Sequence, residues 1–223
     1  MSSIKAPFPF FFFYSLLNYS RNGKEKVVGE IMKLRLSVII LIVFMFLLSA
    51  CGKKEIEGAV NWPVKDFSAT SNDNKSFALK DLKGKIWVAD FVFTNCADVC
   101  PPMTANMTKL QKMVKDEGLK NVEFVSFSVD PTVDTPEKLG NYAKQYGADL
   151  HNWTLLTGYS QEYIEKYAMN TFKTLVKKPV EGDQVIHQTY FYLVGPDGKI
   201  KKSYSGFKDV PYDEIIDNIK TLQ

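Results

Sequence analysis

The stretch Ile86-Trp-Val-Ala-Asp-Phe-Val-Phe93 runs straight into Thr94-Asn-Cys-Ala-Asp-Val-Cys-Pro-Pro-Met103. A nearly continuous apolar run of this length reads as a strand buried on both faces. Pro101 and Pro102 then suit the first turn of a helix, where a missing N–H costs nothing. The two cysteines therefore fall at a strand-to-helix turn, and the alternation to either side decides what kind of sheet this is.

Downstream, Pro101 to Glu117 carries Met103, Met107, Leu110 and Val114 at helical spacing, and Val122-Glu-Phe-Val-Ser-Phe-Ser-Val129 is a second central strand. Strand, helix, strand is the signature of parallel pairing. The pattern predicts a helix from about Pro136 to Tyr146, a short strand near Trp153 to Leu156 and a helix from Gln161 to Phe172. It closes with strands at Thr189 to Val194 and Lys199 to Tyr204 around Gly195-Pro-Asp-Gly198, and a last helix from Tyr212 to Leu222. Upstream, Val64 to Ala69 and Lys75 to Leu79 flank Ser71-Asn-Asp-Asn74 as a β-hairpin. The expected fold class is α/β, with a mixed central sheet flanked by helices and an N-terminal hairpin.

The N-terminal portion is of another kind. Met32-Lys-Leu-Arg-Leu followed by an apolar run to Leu48-Ser-Ala-Cys51 has the basic start, short apolar stretch and small residues of a secretory signal. Its apolar core from Leu36 to Ala50 is short against the ~20 residues of a spanning helix. The ending resembles the bacterial lipobox, which implies that Cys51 is acylated and becomes the first residue of the mature protein. Residues 1–31 are expected to be a mis-assigned upstream start, 32–50 the signal peptide, 51–59 a polar tether and 60–223 the folded domain. The expected location is the outer face of a bacterial cell membrane.

Charge narrows the function. Taking away the 6 basic and 2 acidic residues before Cys51 from 28 and 25 leaves 22 and 23, so the mature part is nearly neutral with scattered lysines. That gives no electrostatic footprint for nucleic acid. Both arginines, Arg21 and Arg35, precede Cys51, so the mature chain has no bidentate guanidinium to offer.

With Cys51 set aside, Cys96 and Cys100 form one pair. A helix N-terminus favours negative charge, so at least one thiol is expected to be unusually acidic. The spacing allows a disulfide, a shared metal ion, or each in turn. Of two histidines, His187 precedes the strand that returns beside the end of the first central strand, whereas His151 lies in a separate turn. Two thiolates and an imidazole suit Cu(I), Cu(II) or Zn(II) and are too sulfur-rich for calcium or magnesium. Met103 and Met107 could add a thioether but are expected to pack on the sheet. Ser128-Val-Asp-Pro-Thr-Val-Asp134 ends the second central strand at the same edge, placing Asp130 and Asp134 either beside the site or in turn and capping roles.

Phe93-Thr-Asn-Cys-Ala-Asp-Val-Cys-Pro101, Phe127-Ser-Val-Asp-Pro131 with Asp134 and Thr135, Gln184-Val-Ile-His-Gln188 and Tyr192-Leu-Val-Gly-Pro-Asp-Gly198 together resemble the SCO/SenC family, particularly its membrane-anchored Gram-positive members. The resemblance implies a thioredoxin-like fold and copper ligation by Cys96, Cys100 and His187, with Asp130 and Asp134 near the site. It further implies delivery of copper to the CuA centre of cytochrome c oxidase subunit II, or reduction of that centre's cysteines. The first reading is a metallochaperone and the second a thiol-disulfide oxidoreductase using the Cys96–Cys100 pair. A thioredoxin would be expected to carry CxxC and an opposing cis-proline, and a peroxiredoxin an active-site arginine with threonine three residues before its cysteine. Here Thr94 stands two before Cys96.

Overall fold

The computed structural model describes residues 35–39 and 55–223. Residues 35–39 are helical and exposed, and they belong to a separate unit from the folded domain. The remainder of the expected signal and start segments, Cys51 included, lies outside the described residues. No helix among the described residues is long and apolar enough to cross a membrane.

The domain is built on an eight-stranded sheet. Its strands are β1 (Trp62–Pro63), β2 (Ser68–Ser71), β3 (Ser76–Ala78), β4 (Ile86–Val92), β5 (Val122–Ser128), β6 (Trp153–Thr157), β9 (Tyr190–Val194) and β10 (Lys199–Ser205). A separate two-stranded ribbon pairs β7 (Val176–Lys177) with β8 (Ile186–His187). The main order is β1-β10-β9-β4-β5-β6-β2-β3. β4, β5 and β6 run parallel, and every other pairing is antiparallel.

The parallel core follows from its connections. Helices α1 (Cys100–Asp116) and α2 (Pro136–Gln145) link β4 to β5 and β5 to β6, as parallel pairing requires. Every residue of β4 is buried, as its apolar run predicts for a strand covered on both faces. On one face Val88 and Val92 pack with Met103, Met107 and Leu110 of α1 and with Ile215, Ile216 and Ile219 of the final helix α4 (Tyr212–Leu222). On the other face Trp87, Ala89 and Phe91 meet Ile164 and Tyr167 of α3 (Gln161–Tyr167) and Phe172 beyond it.

Two expectations shift. The N-terminal hairpin forms at 68–71 and 76–78, turned by Asn74 at φ 61, and its outer pairing is to β6. The segment before it does not extend the hairpin, because Trp62 and Pro63 pair with the edge of β10 and the Val64 N–H bonds the Gly198 carbonyl. The helix expected to reach Phe172 is α-helical only to Tyr167 and continues as a wider π turn over 168–172, ending at Lys173 with φ 56. That turn sets Phe172 within ring centroid distances of 5.0 Å of Tyr192 and 5.3 Å of Phe91.

The sheet order also brings the distant pieces of the site together. β9 runs antiparallel beside β4, pairing Trp87 with Val194 and Ala89 with Tyr192. Continuing that register carries residue 187 to a position opposite the residues just after Phe93.

Candidate metal centre

β4 ends at Val92, and the chain crosses a loop before α1 begins at Cys100. Cys96 is therefore in the loop and Cys100 is the first helical residue. A helix start leaves backbone N–H groups without partners. Here Pro101 and Pro102 have none to leave, the Met103 N–H bonds the Val99 carbonyl, and the Cys100 N–H donates to Cys96 Sγ at 3.2 Å. The helix thus directs its free first-turn donor at one sulfur.

That placement sets the chemistry of the pair. The neighbouring Cys100 thiol, helped by hydrogen bonds from the backbone of residues 98 and 100, pulls the Cys96 thiol down to about 4 against the opposing effect of burial. Cys100 is fully buried, and burial together with the Cys96 charge pushes its thiol far up. One sulfur is a thiolate at neutral pH and the other holds the proton. The two cysteines are not joined in a disulfide.

His187 comes from β8, whose register sets it against Val176. Its Nε2 lies 3.3 Å from Cys100 Sγ, and its Nδ1 lies 3.0 Å from the Gln188 carbonyl. A carbonyl only accepts, so Nδ1 carries the hydrogen and the Nε2 lone pair faces the sulfurs. Metal-binding histidines commonly use their second nitrogen in this way. The Phe93 ring, edge-on at 5.8 Å, flanks the imidazole.

Cys96 Sγ, Cys100 Sγ and the His187 nitrogen all lie within 4.8 Å of one another. Donors sharing one ion at ~2.0–2.3 Å each stand no more than about 4.6 Å apart. The three donors thus stand close to the span of a single ion, and the soft, nitrogen-and-sulfur donor set fits copper.

Asp134 and Asp130 are both buried, and neither contributes an atom to this donor group. Asp134 braces the cysteine loop from behind. One of its oxygens accepts from the Thr94 N–H at 3.1 Å and the Thr94 hydroxyl at 2.6 Å, and the other accepts from Ser128 at 2.5 Å. Asp130 instead forms an ion pair with Lys178 at 2.6 Å. Helix capping before α2 falls to Thr135, whose hydroxyl accepts from the Lys138 N–H. Met103 and Met107 are fully buried against the sheet, and His151 is an exposed turn residue outside the donor group.

Sequence reasoning missed Asp90. It is wholly buried in the centre of β4, and neither carboxylate oxygen has a hydrogen-bond partner. Burial is the main cause, and it pushes the pKa of this carboxyl up to about 7. The available signal was a single acid within an otherwise apolar central strand.

The SCO1/SenC family model matches residues 60–223. The chain is 50% identical over 180 residues to the "SCO1 protein homolog" of Bacillus subtilis (strain 168), spanning 81% of this chain and 92% of the relative. A SCO1/SenC family lipoprotein from Bacillus anthracis str. Ames superimposes with a TM-score of 0.73 at 54% identity, covering 75% of this chain and 98% of that one. BsSco, described as a member of the Sco family of cytochrome c oxidase assembly proteins with a disulfide switch, gives 0.70 at 51% identity over 75% and 96%. Arabidopsis thaliana ScoI, solved with copper bound, gives 0.60 at 30% identity over 70% and 96%. The expected thioredoxin-like, mixed α/β fold is the one these structures share.

Proposed function

The chain belongs to the SCO1/SenC family, and from that premise we propose that it holds copper as cargo through Cys96, Cys100 and His187 and serves assembly of the CuA centre of cytochrome c oxidase. The observation that carries this reading is the convergence of two sulfurs and one imidazole nitrogen within 4.8 Å from segments 87 residues apart. Copper bound to a relative, and oxidase assembly named for another, support it. The recipient is the CuA domain of subunit II, whose own donors take the ion by ligand exchange. A lipid on Cys51 holds the domain at the outer face of the cell membrane, and residues 52–59 tether it there.

The chain's own residues prepare the exchange. Cys96 is held ionised by the Cys100 thiol and the N–H groups of the helix start, Asp134 fixes the loop before it, and Gln188 sets the His187 tautomer. Copper titration of the reduced protein tests the ligand set. His187→Ala and Cys96→Ser are expected to weaken binding, and equal binding by both variants and the wild type would sink the assignment. Incorporation of a labelled fatty acid, lost in Cys51→Ser, tests the anchor.

One observation favours a second reading. An acidic Cys96 beside a protonated Cys100 is the arrangement of a thiol-disulfide reductase. The Cys96 thiolate would attack a disulfide of the CuA site and form a mixed disulfide. Cys100 would then lose its proton and displace the partner thiolate, closing Cys96–Cys100 as two electrons pass to the partner. Complementation of a deletion strain separates the two. Rescue of oxidase activity by His187→Ala but not by cysteine variants favours the reductase, and failure of all three favours copper transfer.

A further inference from the structure

His187 is the one donor not held by the cysteine loop. It stands on the β7–β8 ribbon, which pairs only Val176 with His187 and Lys177 with Ile186 and is not part of the main sheet. Two hydrogen-bonded pairs are too few to fix a ribbon by themselves. Val176 and Val185 anchor its inner side in the core, and a group of polar contacts at the end of β7 adds to that hold. Glu165 of α3 accepts from the Lys178 N–H at 2.9 Å and pairs with Lys177 Nζ at 3.0 Å. Lys178 Nζ reaches Asp130 at 2.6 Å and Thr132 at 3.2 Å, beyond the carboxyl end of β5. The Asp130 side chain is 2% exposed and that of Lys178 24%, so this pair is sheltered from the screening that weakens surface ion pairs.

We infer that Lys178, through its ion pair with Asp130, is a positioning residue that holds the His187 imidazole against the two sulfurs. The inference rests on His187 being a copper donor. Lys178 follows directly on Lys177, which pairs with Ile186, the neighbour of His187, so the pair fastens the ribbon to the strand end beside the site. Asp130 thereby gains a role that its position away from the donor atoms does not otherwise explain. The tip beyond Lys178 bears the fully exposed Val180, and a hydrogen bond from Gln184 to the Asn95 carbonyl at 3.1 Å ties it to the cysteine loop. Release of the Lys178 pin would loosen the ribbon that carries the third donor while Cys96 and Cys100 keep their places.

The test uses the reduced full chain in detergent, with Cu(II) as the probe. Two readouts are taken: nitrogen hyperfine coupling in the electron paramagnetic resonance spectrum, and affinity by chelator competition. The double variant Asp130→Asn, Lys178→Met leaves no charge buried alone. It is expected to lose or broaden the nitrogen coupling and to bind about tenfold more weakly, at the low end of the 10–100-fold typical when an outer partner of a metal ligand is removed. Lys178→Arg, which keeps the pair, is expected to restore both. Glu165→Gln, which loosens the same strand without touching Asp130, is expected to shift both readouts less, in the same direction. In a His187→Ala background the double variant is expected to change nothing further.

Unchanged coupling and affinity in the double variant would overturn the inference, as would an equal loss in the His187→Ala background. If His187→Ala alone leaves both readouts at the wild-type level, the ligand assignment fails and this inference falls with it. A normal His187→Ala loss beside a silent double variant removes the inference alone.

Discussion

Replacing Asp90 by asparagine is expected to stabilise the copper-free, reduced domain, and to do so only above acid pH. The carboxyl is wholly buried without a hydrogen-bond partner, and burial raises its pKa from 3.8 to about 7. Between those values the unfolded chain has given up the proton and the folded chain has kept it. Stability then falls as pH rises, because the unfolded state binds fewer protons. At 1.36 kcal/mol for each tenfold change, the window from 3.8 to about 7 is worth about 4 kcal/mol. Asparagine has nearly the same shape and does not titrate, so it escapes this loss. Urea unfolding of residues 54–223 at half-unit intervals from pH 4 to pH 8 should show near-equal stabilities at pH 4. By pH 8 the variant should lead by about 4 kcal/mol, or roughly 8–16 °C in Tm for a domain of this size. Parallel curves across the range would refute the reasoning, since they would mean that Asp90 folds in the same protonation state in which it unfolds.

The cysteines should react in order. With Cys96 near 4 and Cys100 pushed far up, iodoacetamide at pH 6 should label Cys96 alone in the reduced, metal-free protein, as peptide mass spectrometry can show. Equal labelling would contradict the assignment of the thiolate to Cys96. Asp134→Ala removes the acceptor for Thr94 and Ser128 and should cost about 1–3 kcal/mol for each buried donor left alone, read by urea unfolding. The same variant should weaken copper binding by loosening the loop before Cys96. Met107→Ala should cost about 2–5 kcal/mol while leaving copper affinity unchanged, because Met107 packs in the core and is no donor. A drop in affinity with the sulfur removed would show that the thioether reaches the ion.

Much of the site was legible before any coordinates, for reasons that can be named. Cys96 and Cys100 stand four residues apart and are flanked by an apolar strand and a proline-marked helix start, all of it local in the chain. His187 was selected over His151 by topology alone: a strand returning antiparallel beside β4 enters at that strand's carboxyl end. The aspartates were placed near the right edge, but spacing could not divide their duties. Asp134 turns towards Thr94, 40 residues away, and Asp130 towards Lys178, 48 residues away.

The order of strands and helices, the redox-capable pair and its position at a helix N-terminus are properties of neighbouring residues, so the sequence determined them by itself. Asp90 reads as an ordinary acid in a strand until both faces of β4 are covered, because burial belongs to the assembled layers. Which sulfur is the thiolate depends on the Cys100 thiol and N–H facing Cys96 and on the deeper burial of Cys100 once α1 has docked, which spacing does not carry. The ribbon that presents His187, and the Lys178 pin beside it, exist only after β5, α3 and β7 have come together. Propensity acts over a few residues, whereas desolvation and the meeting of charges require the whole fold, and that division separates what was read from the chain from what the tertiary structure decided.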